Sequence, residues 1–319
     1  MSQFGWDTTA EEVVRGLDLG GKRIVLTGAT SGLGAETARA LAMAGADLVL
    51  GVRRLEAGEE LARALAPHAR GAISVLALEL SDLRSVLDFA GQIHGPVDVL
   101  INNAGVSKSP DKHLPNGLDV RFATNHLGHM LLALRLRRQL AQGDGRIVVL
   151  SSAAHKGCPV RLDDLQWTKR EHLDGFAYAE SKSANILFAQ EATRRWGGEG
   201  VFANAVLPGS AMTGLQRFHG EALKRRIGFI KEDGSLHEKV KSIGQAAATS
   251  VWAAVAPELK GRGGLVLEEC GEALPAGPET HEWAGFDTSI ADPETARLLW
   301  EHSLDLIRDL CGEAALADA

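Results

Sequence analysis

The sequence predicts an α/β fold: a doubly wound parallel sheet of about seven strands with helices on both faces, within a single domain. Two observations predict it. From about residue 22 to Pro208, short apolar runs alternate with amphipathic stretches of helical period, as in successive βαβ units. The apolar runs are also nearly continuous, which indicates strands buried on both faces of their sheet. Right-handed crossovers between such strands put helices on both sides.

Each element is assigned from its own pattern. Strands are predicted for residues 23–26, 47–50, 72–78, 97–101, 146–150, 201–206 and, in GGLVLEE, 263–269. Helices are predicted for residues 34–44, 55–66, 83–93, 118–140, 178–196, 245–256 and 293–310. Residues 210–240 are more polar than the repeating part. Residues 271–319 form a C-terminal tail, rich in Gly, Pro and charge before its helix.

The composition excludes several classes of function. The chain is 45% hydrophobic and 24% charged, which is usual for a soluble globular protein. Its net charge of −7 offers no global positive field to nucleic acid. No apolar run is long enough to span a membrane, and MSQFGWDTTAEEV lacks the features of a secretion signal. Three scattered cysteines fit the reducing cytoplasm, where we expect the protein.

One pair of histidines has a spacing that a metal site can use. His126 and His129 stand three residues apart in NHLGHMLL. No carboxylate or third ligand accompanies them, and the chain has no CxxC or HExxH motif. No metal site is therefore predicted.

A glycine-rich turn follows the first predicted strand. KRIVLTGATSGLGAETA reads as a strand, a turn and the start of a helix, with Gly28, Gly32 and Gly34 in the spacing G-x3-G-x-G. Glycine permits positive φ and close approach of a pyrophosphate, and the N–H groups at the helix start favour an anion. A plain tight turn is the alternative. The context between strand and helix favours a dinucleotide site of the Rossmann type.

The end of the second strand indicates which dinucleotide. Folds that bind NAD usually carry an acidic residue there, which holds the ribose hydroxyls. Here LVLGVRR puts Val52 and Arg53 at that point. A guanidinium suits a 2′-phosphate, so NADP(H) is the preferred cofactor, with NAD(H) possible. Arg54 either helps Arg53 to bind the 2′-phosphate or is exposed to solvent.

Tyr178 and Lys182 are a candidate acid/base pair. They stand four residues apart in a helical pattern, so both side chains leave one face of the helix. Tyr178 is also the one tyrosine in the chain. A nearby cation lowers the pKa of a phenol. The alternative is an exposed pair on a helix surface.

These motifs resemble those of the short-chain dehydrogenase/reductase family, in the family's order and over roughly residues 20–215. TGATSGLG resembles the TGxxxGxG cofactor turn, and INNAG resembles the NNAG motif after the fourth strand. TNHLGHMLL contains Asn125, VVLSSAAH contains Ser152, and YAESK contains Tyr178 and Lys182. LPGSAMT resembles the PGxxxT segment that touches nicotinamide.

One departure from the family pattern narrows the branch. Ser152 and Tyr178 are 26 residues apart, which is longer than in many members. The segment between Ser152 and Tyr178 resembles the retinol-dehydrogenase-like and WW-domain-oxidoreductase-like branch. Two other stretches resemble the same branch, NHLGHMLL and SKSANILFAQE. That resemblance implies an NADP-linked enzyme for a lipophilic alcohol or carbonyl. A second departure is Glu79, where the family usually has an aspartate beside the adenine.

The resemblance implies a catalytic set of Asn125, Ser152, Tyr178 and Lys182. Tyr178 is expected to carry the proton, with its pKa lowered by Lys182 and oxidised nicotinamide, and Ser152 to hold the substrate oxygen. Lys182 is also expected to bind the nicotinamide ribose, and Asn125 to hold a water. Ser152 as a helix-cap or turn serine and Asn125 as a helix cap or kink are the alternatives. His155 is interpreted as structural. The expected cofactor contacts are Gly28, Thr30, Ser31, Gly32, Leu33, Gly34, Arg53, Glu79, Leu80, Asn103, Ala104, Gly105, Tyr178, Lys182, Pro208, Gly209 and Thr213.

The resulting hypothesis is reversible hydride transfer between nicotinamide and a lipophilic alcohol, ketone or aldehyde. Residues 153–177 and 210–240 should border the substrate, the second either as an apolar lid or as a surface helix. Two rivals stay open: a non-enzymatic NADP(H)-sensing protein, and a nucleotide-sugar epimerase or dehydratase, whose usual turn is G-x2-G-x2-G. Because the Tyr178 helix often forms a subunit interface in this family, a homodimer or homotetramer is expected.

Overall fold

The computed structural model describes residues 4–317 and contains one eight-stranded sheet. Its strands are β1 (Arg23–Thr27), β2 (Asp47–Val52), β3 (Ile73–Ala77), β4 (Val99–Asn102), β5 (Arg146–Leu150), β6 (Phe202–Leu207), β7 (Val266–Glu268) and β8 (Gly271–Glu272). Their order is β3-β2-β1-β4-β5-β6-β7-β8, and β1 to β7 run parallel. The doubly wound fold predicted from the alternating pattern is confirmed.

The sheet has one strand more than the seven predicted. β8 pairs antiparallel with β7, with Gly271 opposite Glu268. The reversal takes only Glu269 and Cys270, whose φ angles are 51° and 57°. Such left-handed angles are uncommon outside glycine, asparagine and aspartate. Nothing in EECG therefore signals the turn, and the prediction ended with β7.

The α-helices of the described chain cover both faces of the sheet. They are α1 (Ala10–Val14), α2 (Gly32–Ala44), α3 (Leu55–Leu65), α4 (Leu83–Gly91), α5 (Gly128–Ala141), α6 (Asp174–Trp196), α7 (Glu221–Arg226), α8 (Ile243–Val255) and α9 (Pro293–Cys311). One apolar core joins the sheet to α1, α2, α3 and α8, and the other joins it to α4, α5 and α6. None of these helices is both long and apolar enough to cross a membrane.

The helices differ from the prediction in several places. The helix predicted for residues 118–140 starts with a π-helical turn, Phe122–Leu127, which continues into α5. α6 begins at Asp174, before Tyr178. α1 was not predicted, because it is only five residues long and its start depends on a local capping box between Thr9 and Glu12.

α9 covers the outer side of α6. Trp300 stacks on Phe188 with the ring centroids 5.8 Å apart, and it meets Trp196 edge-on at 5.2 Å. Arg195 donates to Glu301 at 2.5 Å beside this aromatic cluster. This side of α6 is therefore buried within the chain itself. The predicted homodimer or homotetramer stays a prediction, and an interface would have to use other surfaces.

The strand order reverses beside β1, which lies between β2 and β4. Connections leave the two neighbouring strands toward opposite faces at such a point, which opens a crevice at the carboxyl ends of the strands. Parallel pairing of β1 with β2 and β4 brings the turn after β1 and the loop after β4 to this crevice.

Candidate active site

A groove of about 450 Å³ lies at the carboxyl edge of the sheet. It brings together nearly all the predicted cofactor contacts: Gly28, Thr30, Ser31, Gly32, Leu33, Gly34, Arg53, Glu79, Leu80, Asn103, Ala104, Gly105, Tyr178, Lys182, Pro208 and Thr213. Its lining does not include Gly209, Asn125 or Ser152. A larger depression of about 730 Å³ between the N-terminal segment and α8 contains none of the predicted residues.

Several lining residues were not among the predicted cofactor contacts. They are Gly51, Leu78, Val106, Thr124, Leu150, Ser151, Gly214, Leu215 and Arg217. Most of them adjoin predicted residues at the ends of the same strands, so the motifs predicted the part of the chain but not each residue. Gly214, Leu215 and Arg217 are different, because they come from the segment 210–240, which was predicted only as a border of the substrate.

The glycines of the first turn are required by close packing. Gly28 and Gly32 have φ of +70° and +54°. A side-chain carbon on Gly34 would lie 2.2 Å from the Gly28 carbonyl oxygen, so α2 can approach the turn only with glycine there. Asn103 fastens the turn from the β4 side, donating to the carbonyls of Thr27 at 2.8 Å and Gly28 at 3.2 Å.

The start of α2 opens into the groove. Ser31 at its N-cap makes no side-chain capping bond, unlike the capped starts of α1 and α8. The first N–H groups of a helix have no partner within the helix, and they carry partial positive charge. The turn therefore fits the diphosphate of a dinucleotide, for which such a helix start is a favourable site.

At the end of β2 the exposed side chains are cationic. Arg53 is exposed, and its side chain has no hydrogen bond or ion pair to any of residues 4–317. Glu79 faces the same groove, but its Oε1 accepts from the backbone N–H and the hydroxyl of Ser81, at 3.1 and 2.7 Å. The charge available to a ligand near Arg53 is therefore positive.

Tyr178 and Ser152 meet through their hydroxyl groups. α6 brings Tyr178 to the groove, and Ser152 follows the end of β5. The hydrogen bond from Ser152 favours the phenolate, but burial outweighs it and raises the pKa of Tyr178 above its usual value. In the protein alone, the phenol is therefore held protonated.

Lys182 lies one helical turn beyond Tyr178 and is buried. Its Nζ donates to the Leu150 carbonyl at 2.8 Å and lies 5.7 Å from the centre of the Tyr178 ring. Burial lowers the pKa of Lys182 to about 7. The lowering of the tyrosine pKa that we predicted from Lys182 does not appear in the protein without cofactor, because burial disfavours the charged form of both groups.

Asn125 lies in the π-helical turn, fully buried. Its Oδ1 accepts from the Val106 N–H at 2.8 Å, and its Nδ2 donates to the Val106 carbonyl at 3.0 Å and to the Ser181 hydroxyl at 2.8 Å. It thus joins the loop after β4 to α6 beside Lys182. This contact accounts for the position of the loop, and a role in holding a water stays a prediction.

The two histidines near Asn125 are engaged in hydrogen bonds. His126 lies 3.0 Å from the Ser303 hydroxyl, and His129 lies 3.0 Å from the Asn125 carbonyl and 2.9 Å from the Thr27 hydroxyl. Burial lowers the pKa of both rings to about 3, so both are neutral. In the part of the chain that the structure describes, no three His, Cys, Asp or Glu residues are grouped to hold a metal ion.

Comparison with known proteins identifies the family. The family model of the short chain dehydrogenases matches residues 22–163. A probable oxidoreductase of Streptomyces antibioticus is 40% identical over 297 residues, which are 92% of this chain and 99% of that protein. This chain belongs to the short-chain dehydrogenase/reductase family. It is an oxidoreductase of that family.

Two further relatives confirm the predicted branch. Human retinol dehydrogenase 13 is 36% identical, over 90% of this chain and 85% of that protein. The human WW domain-containing oxidoreductase is 34% identical, over 97% of this chain and 74% of that protein. Among solved structures, a putative uncharacterized protein from Mycobacterium paratuberculosis is 31% identical with a TM-score of 0.69, over 95% of this chain and 98% of that one.

Proposed function

We propose that this protein is an NADP(H)-dependent oxidoreductase, which transfers a hydride between nicotinamide and a lipophilic alcohol, ketone or aldehyde. The observation that carries the proposal is one groove lined by Tyr178, Lys182, the glycine turn and Arg53, with Ser152 hydrogen-bonded to Tyr178. An acid/base group and a site for a charged dinucleotide are thus side by side. Both would belong to a single domain, in which residues 271–319 form the C-terminal tail.

The glycine turn would hold the diphosphate. The uncapped N–H groups at the start of α2 face the groove, and Gly28 and Gly32 supply the positive φ angles of the turn. Thr213 lies against Gly32, because a side-chain carbon on that glycine would lie 3.1 Å from it. Residues 207–213 would close the same site from the β6 side, with Pro208 and Thr213 in the groove and Gly209 just outside its lining.

Arg53 would select NADP(H) over NAD(H). A guanidinium without a protein partner at the end of β2 can bind a 2′-phosphate with two hydrogen bonds. Arg54 lines the groove beside it. Glu79, the acidic residue nearby, has one oxygen committed to Ser81 and the other free for the adenine amino group. NAD(H) would bind more weakly, without the phosphate contact.

Tyr178 would carry the proton. When bound, the nicotinamide supplies or accepts the hydride. Reducing a carbonyl also requires a proton at the new hydroxyl oxygen, and Tyr178 is the protonated phenol that can give it. Its raised pKa suits this direction, because burial keeps the donor form populated. Ser152 would donate to the same substrate oxygen and stabilise its developing negative charge.

Lys182 and Asn125 would support the proton transfer. With a pKa of about 7, Lys182 can exchange a proton at neutral pH after Tyr178 has given up its own. When charged, it would stabilise the phenolate and donate to the nicotinamide ribose. Asn125 would hold the loop after β4 in register with α6, and would bind the water that links Lys182 to solvent.

Residues 153–177 and 210–240 would border the substrate. The second segment is fastened over the groove, since the Ser107 hydroxyl donates to the Leu215 carbonyl at 3.2 Å and lies 3.2 Å from His219 Nε2. Phe218 is 42% exposed on this segment, which suits contact with a lipophilic molecule. We also propose the cytoplasmic location and the homodimer or homotetramer on the sequence arguments alone.

Oxidation of NADPH against a panel of lipophilic ketones and aldehydes tests the proposal. We expect turnover of at least one carbonyl, with NADPH favoured over NADH. Tight binding of NADPH with no turnover on the whole panel would contradict the enzyme proposal and favour an NADP(H)-sensing protein. Turnover of a nucleotide sugar instead would favour an epimerase or dehydratase.

A further inference from the structure

His155 lies three residues beyond Ser152, and its ring has a partner on each side. Nδ1 lies 2.6 Å from the Ser152 carbonyl oxygen, and Nε2 lies 3.0 Å from the backbone nitrogen of Asp287. The residue is fully buried. It therefore joins the active-site loop to a segment more than a hundred residues further along the chain.

The two partners fix the state of the ring. A backbone N–H can only donate, so Nε2 must carry a free electron pair toward Asp287. A carbonyl can only accept, so Nδ1 must carry the proton toward Ser152. The ring is therefore a neutral Nδ1–H tautomer. Burial lowers the pKa of His155, which is consistent with a neutral ring.

On one side the ring helps to fix Ser152. The Ser152 carbonyl accepts both the backbone N–H of His155, at 3.1 Å, and its ring N–H. The Ser152 hydroxyl accepts from the Ala154 N–H at 3.2 Å while it contacts Tyr178. The direction of this hydroxyl thus depends on a short turn that the His155 ring holds in place.

On the other side the ring holds part of the C-terminal tail, residues 281–287. Neighbouring contacts join the same two segments: Asp287 accepts from the Gly157 N–H at 2.9 Å, and Lys156 donates to the Ala284 carbonyl at 2.7 Å. Glu268, at the end of β7, accepts from the Gly285 N–H at 2.8 Å.

This part of the tail also supports the segment 210–240. The ring of Trp283 meets those of Phe229 and His237 edge-on, with both centroid distances 5.2 Å. A side-chain carbon on Gly228 would lie 3.1 Å from the Trp283 ring, so the chain comes very close there. The tail thus connects the loop after Ser152 to the second segment that borders the proposed substrate site.

We propose that His155 is a positioning residue with two separable effects: Nδ1–H orients Ser152 for the chemical step, and Nε2 holds the tail that shapes the substrate site. The proposal rests on the function proposed above. It assigns a role in the reaction to a residue that touches neither cofactor nor substrate.

Two substitutions separate the effects. The short side-chain amide introduced by His155→Asn can reach the position of Nδ1 and donate to Ser152, but leaves no acceptor for Asp287. The longer amide introduced by His155→Gln can reach the position of Nε2 and accept from Asp287, but leaves no donor for Ser152. Each variant is the matched control of the other, and NADPH dissociation constants should stay within about twofold in both, because neither contact touches the groove.

The kinetic constants should separate accordingly. For His155→Gln we expect kcat to fall about tenfold or more with KM nearly unchanged, since a small displacement of a reacting group is costly. For His155→Asn we expect KM for the carbonyl to rise about threefold to tenfold with kcat nearly unchanged, as for one lost hydrogen bond. Equal changes in the two variants, or none in either, would overturn the proposal.

Hydrogen exchange of the tail gives a readout that does not need turnover. Amides in residues 281–289 should exchange faster in His155→Asn than in the natural protein, and at the natural rate in His155→Gln. If the natural protein reduces no carbonyl but shows this exchange pattern, the proposed function fails while the tail contact stands. Identical exchange in all three proteins would refute the tail contact itself.

Discussion

At the scale of single residues, burial decides the chemistry of the site. Tyr178 and Lys182 in water would be a neutral phenol and a full cation. In the fold, the pKa of Tyr178 is raised and that of Lys182 falls to about 7. Both shifts come from loss of water around the charged form. A neutral donor beside a lysine that can change its charge is a suitable starting state for reducing a carbonyl.

Tyr178→Phe should remove nearly all turnover. The variant keeps the ring and loses only the hydroxyl that carries the proton, so NADPH should bind as in the natural protein. Stopped turnover with an unchanged NADPH dissociation constant, measured by fluorescence titration, is the expected outcome. High residual activity would contradict the proposed proton carrier.

Arg53→Ser should weaken NADPH binding by about tenfold to a hundredfold, which corresponds to one charge-assisted contact of roughly 1.5–3 kcal/mol. NADH has no 2′-phosphate, so its binding should hardly change. Titration of both cofactors measures the two effects. Arg63→Ser on α3 is a control, since Arg63 is exposed outside the groove. An equal loss for NADH would mean that Arg53 does not read the 2′-phosphate.

At the scale of elements, the site depends on where helices begin and on what covers them. α2 begins in the groove because glycine allows the close approach at its first turn. α6 presents Tyr178 and Lys182 on one side, and its other side packs against α9. The sequence predicted where α9 lies along the chain, after a Gly- and Pro-rich stretch. It did not predict that α9 packs against α6.

Trp300→Ala should lower the free energy of unfolding by about 3–5 kcal/mol, as for other buried aromatic truncations. Trp300 is 3% exposed and contacts Phe188 and Trp196 across the two helices. Arg297→Ala on the exposed side of α9 is the control, with an expected loss of less than about 1 kcal/mol. Urea unfolding measures both. Similar losses in the two variants would argue against a tight contact between α9 and α6.

At the scale of the whole molecule, the parallel sheet collects distant segments at one edge. Residues from the ends of β1, β2, β4, β5 and β6 line one groove, although they are spread over most of the chain. Global stability is linked to this edge, because Lys182 is buried there at a cost to its charged form.

The stability of the cofactor-free protein should therefore depend on pH through Lys182. Between its folded pKa of about 7 and its ordinary value of 10.5, the unfolded chain binds a proton that the native state lacks, so raising the pH stabilises the native state. From pH 7.5 to 9.5 the natural protein should gain up to roughly 2–3 kcal/mol relative to Lys182→Met. Urea unfolding of both proteins at the two pH values tests this, and parallel changes would contradict it. The raised pKa of Tyr178 acts in the opposite direction near pH 9.5, because the unfolded phenol begins to ionise there while the buried one stays neutral. Both proteins carry Tyr178, so this effect cancels in the comparison.

Much of this protein was determined by the local sequence. The alternation of apolar runs with helical patterns specified the order of strands and helices, because each element must bury an apolar face of its own period. The motifs also predicted most groove residues, since parallel strands deliver the residues after their carboxyl ends to one edge. The left-handed turn at Glu269 and Cys270, which adds β8, lay outside these rules.

What only the tertiary structure decided concerns contacts between distant segments. From the sequence we interpreted His155 as a structural residue. In the fold, Ser152 lies on one side of its ring and Asp287 on the other. The sequence predicted a lowered tyrosine pKa from the spacing of Tyr178 and Lys182, and the fold buries both groups and raises it. Spacing along a chain specifies which side chains share a helix face. Burial and long-range hydrogen bonds depend on how the elements pack, which no local pattern records.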